Sequence, residues 1–356
     1  MSQKKLLICC QEVDTQSTML GFFHNWIVEL SKKYSYITVI TLKSGTYALP
    51  DNVRVLSLGK EFGKKKSFVR KIFYVLTFYY YILKTIGQYD RVFIHQIQEY
   101  ALLGGCVWKI CGKKIFLWRN HYAGNLLTDV ACRISHKTFY TSDYSYNARF
   151  KNALKMPVGV DVASLHTTEK FSVPENSILA LARLDPSKKP ELILYALRKL
   201  YDAGIHVTAD FVGGTNKGAF PHYENEIQAL HAALQLGDGV KFIGPVPSTE
   251  TYKYYLSHDI YLNVSRSGML DKTIFKALAA GCIPITTSLD FNEMIRPVMH
   301  DTLKVTQDSV DSLVEKIQYV VALTKEERAA KIKMMQDVVI DNQSLQTLVQ
   351  KLALIV

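Results

Sequence analysis

The sequence lacks the short motifs that mark common metal, redox and dinucleotide sites. Its cysteines form no CxxC pair and no Cys/His spacing suited to zinc, and most lie in apolar runs, so we expect buried, reduced thiols and no metal site. No GxGxxG follows a predicted strand, which argues against a nicotinamide-dependent oxidoreductase. The cysteines are Cys9, Cys10, Cys106, Cys111, Cys132 and Cys282.

Long hydrophobic runs are also missing. The longest, residues 72–83 with one Thr inside, is shorter than the ~20 residues that span a bilayer. Only a short apolar stretch follows Lys4 and Lys5 before Gln11 and Glu12, so no secretory signal is predicted. The 356 residues are 48% apolar, which excludes a disordered chain and predicts at least one large core. We expect a cytoplasmic protein of roughly two domains.

Acidic residues are scarce in the first half. Residues 1–165 hold 23 Lys and Arg against 10 Asp and Glu, whereas residues 166–356 hold 20 against 22, although the whole chain carries +11. An excess of this kind predicts an anionic partner for the first half. No recognition motif for nucleic acid accompanies it, so nucleic acid is not the expected partner.

A cation cluster precedes an aromatic helix in this half. Phe68, Ile72, Val75, Tyr79 and Ile82 follow helical spacing and are predicted to face the core, which leaves Phe73, Tyr80 and Tyr81 for other faces. Such aromatics beside cations suit the interface of an anionic bilayer, and the alternative is a buried helix with a solvated lysine loop. The candidate membrane or acceptor cations are Lys64, Lys65, Lys66, Arg70 and Lys71.

Short apolar runs alternate with stretches of helical period along most of the chain, which predicts parallel strands joined by crossover helices. A polar stretch over residues 164–172 interrupts the pattern before it restarts. We therefore predict two doubly wound α/β domains, residues 1–165 and 166–341, with a last helix in residues 342–356 that packs back on the first domain or stays with the second. Ligands of such sheets bind at the carboxyl ends of the strands.

Two cations occupy one predicted strand-end loop. In LARLDPSKKPELI, a strand ends near Leu181, a helix begins near Pro190, and Arg183 and Lys188 lie between them. Two cations beside a helix N-terminus are suited to holding a diphosphate, although a solvated basic loop gives the same spacing. A second unit of strand, loop and helix follows in NVSRSGMLDKTIFKALAAGCIPITTS, where Asp271 is either a helix cap or a ligand acceptor.

These segments together resemble one known family. The RL-three residues-K loop, the run VKFIGPVPSTETYKYYLSHDIYLNVS and the later ALAAGCIPITTS are similar to the C-terminal domain of the retaining GT-B glycosyltransferases of family 4. The opening KLLICCQEVDTQSTMLGFFHNWIVEL resembles that family's first strand, glycine loop and helix, and Gly159-Val160-Asp161 its domain crossover. The resemblance covers most of the chain and implies a GT-B fold, two Rossmann-like domains facing across a cleft.

The resemblance also implies roles for individual residues. Arg183 and Lys188 match the diphosphate-binding pair, His121 matches a histidine that touches the donor sugar, and Gly21 a glycine near the donor phosphates. In such enzymes cations and a helix N-terminus stabilise the charge that accumulates on the leaving diphosphate. The other implied donor-binding positions are Gly244, Pro245, Val246, Ser267, Gly268, Met269, Leu270, Asp271 and Lys276.

One departure from the family concerns two glutamates. The family carries them eight positions apart, the second on the ribose hydroxyls, and this chain has Gly268 and Lys276 there. A lysine ammonium cannot accept hydrogen bonds from a ribose diol, so Asp271 is the expected substitute acceptor. Either the donor is therefore held in a modified way, or donor binding is weak or lost.

Two acids of the first domain are candidates for the acceptor. Asp14 and Glu99 each follow a predicted strand. In a retaining transfer they would orient the acceptor hydroxyl, in an inverting one a carboxylate would act as general base, and solvated loop acids are the remaining alternative. His24 and His95 are equally open between site and structural roles.

We thus expect a retaining hexosyl- or other glycosyltransferase that needs no metal or cofactor and uses a UDP- or GDP-sugar. Its expected acceptor is a glycan or lipid-linked molecule of cell-envelope polysaccharide or glycolipid synthesis. We expect it at the inner face of the cell membrane, held peripherally by anionic lipid. The alternative is a catalytically silent GT-B protein that binds a glycan or a partner enzyme.

Overall fold

The computed structural model describes residues 4–63, 68–161, 171, 174–216, 218–265 and 269–356. Contacts divide the chain into two units. The first comprises residues 1–159, 247–249 and 345–356, and the second residues 160–246 and 250–344. Five of the candidate residues, Lys64, Lys65, Lys66, Ser267 and Gly268, lie outside the described part.

A seven-stranded sheet forms the centre of the first unit, in the order β3-β2-β1-β4-β5-β6-β7. Every pairing is parallel, as the alternation of apolar runs and helices predicted. The strands are β1 (Lys5–Val13), β2 (Tyr36–Ser44), β3 (Val53–Ser57), β4 (Arg91–His95), β5 (Lys114–Trp118), β6 (Lys137–Tyr140) and β7 (Ala153–Lys155).

Helices cover both faces of this sheet. The helices are α1 (Phe22–Ser31), α2 (Phe68–Lys84), α3 (Gln98–Ile110) and α4 (Leu126–Ile134), with α12 (Leu345–Ile355) from the end of the chain. One face packs on α1 and α12, whose Trp26 and Leu348 are fully buried, and the other on α2, α3 and α4. Successive strand residues alternate between the two faces, so Leu6 and Ile8 belong to one core and Leu7 and Cys9 to the other.

The second unit repeats the architecture on a smaller scale. Its five parallel strands have the order β10-β9-β8-β11-β12. They are β8 (Ser177–Leu181), β9 (Thr208–Val212), β10 (Val240–Gly244), β11 (Ile260–Asn263) and β12 (Ile283–Thr286). The helices are α5 (Pro190–Asp202), α6 (Tyr223–Ala233), α7 (Tyr252–Leu256), α8 (Lys272–Ala279), α9 (Leu289–Met299), α10 (Val310–Val321) and α11 (Lys325–Gln343).

Four helices of the two units, α4, α9, α10 and α11, were not predicted from the sequence. α11 is polar on almost every face, so hydrophobic periodicity gives little signal there, and α9 contains Pro297. α4 and α10 are amphipathic, so their periodicity was a signal that the prediction did not use. The prediction for the cysteines was partly wrong, since Cys106 on α3 and Cys111 directly after it are exposed.

The predicted core face of α2 was wrong at its start. Phe68 and Ile72 are exposed, and the buried residues are Phe78 and Ile82. Only the second half of the helix packs on the sheet layer, where the Phe78 ring lies 5.2 Å from that of Tyr100 on α3. Helical spacing predicts which residues share a face, but not how much of the helix is covered.

Gly159 shows how α12 is fixed to the first unit. It has φ +69°, its carbonyl oxygen accepts a hydrogen bond from Trp26 Nε1 at 3.1 Å, and a Cβ there would overlap Leu348 on α12 and lie 2.7 Å from the Trp26 ring. Gly112 has the same φ of +69° but open space at its Cβ position. The two glycines therefore separate backbone strain from side-chain overlap.

We predict that Gly159→Ala destabilises the protein more than Gly112→Ala. Gly112→Ala should lower the free energy of unfolding by about 1 kcal/mol through backbone strain alone. Gly159→Ala should lower it by about 3 kcal/mol, because overlap in the α1/α12 core adds to the strain. Urea denaturation followed by tryptophan fluorescence measures both. Equal losses for the two variants would contradict the packing argument.

Candidate functional site

The loop after β8 brings two cations to the carboxyl end of the second sheet. Asp185 caps a 3₁₀ turn over residues 186–188 by accepting a hydrogen bond from the Ser187 amide at 3.0 Å. Its other oxygen lies 3.2 Å from the Arg183 guanidinium. Asp185 is 2% exposed, so this carboxylate fixes both the turn and the Arg183 guanidinium. A guanidinium has five donors, so this contact leaves Arg183 with donor capacity for a ligand.

Lys188 ends the same turn and reaches toward β11 and α8. Its Nζ donates to Ser265 Oγ at 3.1 Å and to Asp271 Oδ2 at 2.9 Å. The Lys188 and Asp271 side chains are 22% and 26% exposed, so the ion pair is largely screened from solvent. An ammonium has three donors, and one remains for an anionic ligand.

Asp271 serves as helix cap and ion partner at once. Its Oδ1 accepts the Thr273 amide at 3.1 Å and so caps α8. Burial alone would raise the pKa of Asp271, but the charge and hydrogen bond of Lys188, with the Thr273 bonds, hold that pKa well below its usual value. Of the two roles that the sequence left open, capping is the one seen in the structure.

Residues that the sequence analysis missed complete this network. Asn263 Nδ2 lies 3.3 Å from Asp271 Oδ2, Ser265 donates to Asn263 Oδ1 at 3.0 Å, and Tyr261 donates to Thr273 Oγ1 at 2.6 Å. The available signal was the polar Asn263 and Ser265, two positions apart at the end of an apolar strand.

A pocket lies among these groups. Arg183 and Lys188 line it together with Gly213, Asn263 and Ser265, at the carboxyl ends of β8, β9 and β11. Gly213 has φ +141°, and a Cβ there would overlap the Ala182 carbonyl oxygen, so only glycine allows β9 to end this close to β8. This is the position at which parallel α/β sheets bind ligands.

Two lysines lie on the first turns of α8. The Lys272 Nζ is buried, and burial together with the charge of Lys276 lowers the pKa of Lys272 well below its usual value. Burial also lowers the pKa of Lys276, against the opposing charges of Asp161 and Asp271. The departure noted in the sequence thus places a cation, four residues after Lys272, where the family has an acid.

The remaining donor candidates of this unit lie near strand ends. Gly244 ends β10, and its oxygen accepts the Gly213 amide at 2.9 Å. Val246 is half-buried beyond it, and Met269 and Leu270, just before α8, are 9% and 7% exposed. Their proposed contacts with a nucleotide remain predictions.

The candidates of the first unit lie toward the carboxyl edge of its own sheet. Asp14 follows β1 and accepts the amides of Gln16 at 2.9 Å and Thr46 at 3.2 Å, a loop-forming role. Glu99 is exposed in the first turn of α3. His121 is exposed beyond β5, with its Nδ1 3.0 Å from the Ala123 amide. Gly21 precedes α1, and a Cβ there would lie 2.8 Å from the Ser17 oxygen.

The two open histidines differ in environment. His95 is 3% exposed, and its ring stacks on Phe23 at 4.0 Å, which indicates a structural role. His24 Nε2 lies 2.7 Å from the Ala48 oxygen on an exposed loop. Among the described residues, no cluster of three or more His, Cys, Asp or Glu side chains is arranged to hold a metal ion.

Comparisons with known proteins identify the class. Residues 175–322 match the sequence model of the family described as Glycosyl transferases group 1. No curated protein matches the chain significantly in sequence. The sequence match therefore covers most of the second unit, the one that holds Arg183, Lys188 and Asp271.

Solved structures match the chain over nearly its full length. Anabaena HepE, in complex with UDP and glucose, is 17% identical, with 99% of each chain covered and a TM-score of 0.75. Sucrose-phosphate synthase of Thermosynechococcus elongatus is 12% identical, with 99% and 98% covered and a TM-score of 0.77. WaaG, a glycosyltransferase involved in lipopolysaccharide biosynthesis, is 13% identical, with 98% and 99% covered and a TM-score of 0.66.

The fold is therefore GT-B, with two Rossmann-like domains, and the predicted fold class is confirmed. The fold and the group 1 domain together support a glycosyltransferase.

We predict that Asp271→Asn makes the free energy of unfolding less dependent on pH in the acid range. The Asn keeps a capping oxygen but loses the ion pair, so stability near pH 7 should fall by about 1 to 2 kcal/mol. Because the pKa of Asp271 is depressed in the folded protein, its contribution is complete above an unfolded pKa of about 3.9 and is lost as pH falls below that value.

Urea denaturation at a series of pH values measures this difference. Ser288→Ala is the matched control, because Ser288 caps α9 through the Phe291 amide without any charge. Its cost should stay constant with pH. A cost of Asp271→Asn that also stays constant between pH 7 and pH 3 would show that the pair with Lys188 contributes nothing.

Proposed function

We propose that the protein transfers a sugar from a nucleotide diphosphate sugar, a UDP- or GDP-sugar, to a glycan or lipid-linked acceptor. The observation that carries the proposal is the pair Arg183 and Lys188 in one strand-end pocket beside α8, inside the group 1 domain. Both have donors to spare after their carboxylate contacts. The HepE structure, which holds UDP and glucose, supports a ligand of this class.

The chemistry asked of these cations is charge stabilisation. As the bond between sugar and phosphate breaks, negative charge accumulates on the leaving diphosphate. Cations already held in place by Asp185 and Asp271 need no reorganisation at that moment. We propose that they act without a metal ion, that configuration is retained, and that His121, Asp14 and Glu99 orient sugar and acceptor.

We predict that Arg183→Ala and Lys188→Ala each weaken nucleotide binding. Each variant removes a charged hydrogen bond to phosphate, so affinity should fall roughly 10- to 100-fold. Isothermal titration with UDP, UDP-glucose, GDP and GDP-mannose measures this. Arg198→Ala is the matched control, because Arg198 lies on α5 of the same unit and pairs with Asp202 at its surface.

Three outcomes of this titration are distinct. Loss in both variants with an unchanged control supports the assignment. Binding that both variants retain in full would show that the diphosphate lies elsewhere. No binding of any nucleotide by the unsubstituted protein would favour the alternative function described next.

The alternative is a catalytically silent GT-B protein that binds a glycan or a partner enzyme. The observation that favours it is the pair of lysines on α8, Lys272 and Lys276. A protonated lysine has no acceptor atom for the hydroxyl groups of a ribose. The capping role of Asp271 already uses that carboxylate.

For the acceptor, we propose contact with an anionic membrane through α2, peripherally at the inner face of the cell membrane. Val69, Phe73, Leu76, Tyr80 and Leu83 are 74%, 58%, 62%, 55% and 56% exposed, and their spacing places them on one side of the helix. We call these five residues the α2 stripe. Across the described residues, no helix has the length and apolar character needed to cross a bilayer.

Charged and amphipathic groups flank the α2 stripe. Arg70 and Lys71 lie in the first turn of α2, and Lys84 Nζ at its end donates to the phenol oxygen of Tyr80 at 3.0 Å. Apolar side chains beside cations and a tyrosine match the composition of helices that lie in the interface of anionic bilayers. From such a position the protein would reach the proposed lipid-linked acceptor of cell-envelope glycolipid synthesis.

We predict that Phe73→Ser with Leu76→Ser lowers the partition coefficient onto vesicles by up to about 1000-fold, because about 2 kcal/mol of transfer free energy is lost for each large side chain. Co-sedimentation with vesicles that contain phosphatidylglycerol measures this. Leu126→Ser with Leu127→Ser is the matched control, since these leucines of α4 are 73% and 54% exposed in the same unit. Equal sedimentation of both double variants and the parent would rule out the α2 stripe as the contact.

A further inference from the structure

The first unit contains a second concave site, at the edge of its sheet opposite the strand carboxyl ends. It lies where β5 begins and where α3 and α4 end, next to the segment before β7, and has a volume of about 780 Å³. That volume suits a small-molecule ligand. We call it the basic pocket, and its lining includes Lys109, Lys113, Lys114, Arg133, His136 and Lys151.

No acidic residue lines the basic pocket. Lys113 donates to the Tyr89 carbonyl at 2.6 Å, which leaves four cations. In the described part of the chain, none of these four forms an ion pair with a carboxylate within 4 Å or a side-chain hydrogen bond. These four cations are exposed around one cavity, with no carboxylate in direct contact among the described residues.

Several other cations of the same unit are paired with carboxylates. Lys32 contacts Glu29 at 2.6 Å, Arg149 contacts Asp129 at 2.6 Å, and Lys43 and Lys155 also contact carboxylates. The pairing of Arg149 with Asp129 matters most here, because Asp129 lies one helical turn before Arg133 on α4. The nearest acid on α4 thus makes its direct contact with Arg149 and acts on Arg133 only through a longer-range attraction.

Helix ends account for part of this charge only. Cations are favourable at helix C-termini, which explains Lys109 on α3 and Arg133 on α4. Lys114 begins a strand and Lys151 lies in a loop, so neither gains from a helix dipole. Lys114 and Lys151 therefore add positive potential to the cavity that the stabilisation of helix C-termini does not explain.

His136 on the pocket wall responds to this potential. Burial lowers its pKa, and the charges of Lys114, Lys137 and Arg91 lower it further. An anion bound in the pocket would reverse part of that repulsion and raise the pKa of His136. The ring is therefore a built-in reporter of occupancy.

We propose that the basic pocket binds a ligand that carries phosphate or diphosphate, at a site separate from the nucleotide-sugar pocket. Arginine and lysine donors recognise phosphate oxygens, and a diphosphate matches several cations better than a carboxylate does. The phosphate belongs either to a soluble molecule or to a lipid headgroup. The proposal does not depend on the activity proposed above, because its residues lie in the other unit.

Isothermal titration with sodium pyrophosphate and with inorganic phosphate tests the soluble source. Lys114→Glu with Arg133→Glu is the test variant, and Lys33→Glu with Arg54→Glu is the control, because all four side chains are exposed and the change in charge is the same. We expect pyrophosphate affinity to fall about tenfold or more in the test variant. The control should stay within about twofold, since its charges act only at long range.

Two further readouts complete the experiment. Titration of His136 by ¹H,¹⁵N NMR in the parent protein should show a raised pKa with pyrophosphate present. The lipid source is tested by co-sedimentation with phosphatidylglycerol vesicles, with phosphatidylcholine vesicles for comparison. The phosphate is a lipid headgroup if pyrophosphate does not bind and if phosphatidylglycerol vesicles, but not phosphatidylcholine vesicles, sediment the parent and the control more than the test variant. Equal affinity in all three proteins, equal weakening in both variants, or no binding of any probe would overturn the proposal.

Discussion

The ion pair between Lys188 and Asp271 determines the geometry of the second unit's site. Asp271 caps α8, so it fixes where that helix begins, and Lys188 ends the turn after β8. A contact of 2.9 Å between them joins two segments that are 83 residues apart in sequence. The same carboxylate receives Asn263 from β11. Strand ends, turn and helix N-terminus are therefore held by one side chain.

The sequence predicted the two ends of this interaction but not the interaction. Proline and apolar patterning placed Arg183 and Lys188 in a strand-end loop and Asp271 at a helix start. Their meeting requires β8 and β11 to be neighbours, and strand order depends on packing of the whole sheet. The exposure of Phe68 and Ile72 escaped prediction for a similar reason, because periodicity carries no information on where a neighbouring layer stops.

Cations with a carboxylate partner and cations without one have different electrostatic effects in the two units. Arg183 and Lys188 each contact a carboxylate, so the pair adds little net charge and holds its position through hydrogen bonds. Lys114 and Lys151 have no such partner among the described residues. Fixed cations favour a ligand of defined geometry, whereas unpaired cations raise the potential over a wider area. The excess charge of the first half is therefore no guide to the proposed nucleotide site.

The two lysines of α8 carry an unfavourable electrostatic free energy that an anionic ligand would reduce. Burial lowers the pKa of Lys272 and of Lys276, and the charge of Lys276 lowers that of Lys272 further, although the nearby charge of Asp271 acts in the opposite direction on both. A carboxylate at position 276 would remove the repulsion and add an acceptor, but this chain keeps the cation. A diphosphate bound near the start of α8, as proposed above, would add negative charge to that of Asp271. Binding would then raise both pKa values, and nucleotide affinity would couple to proton uptake.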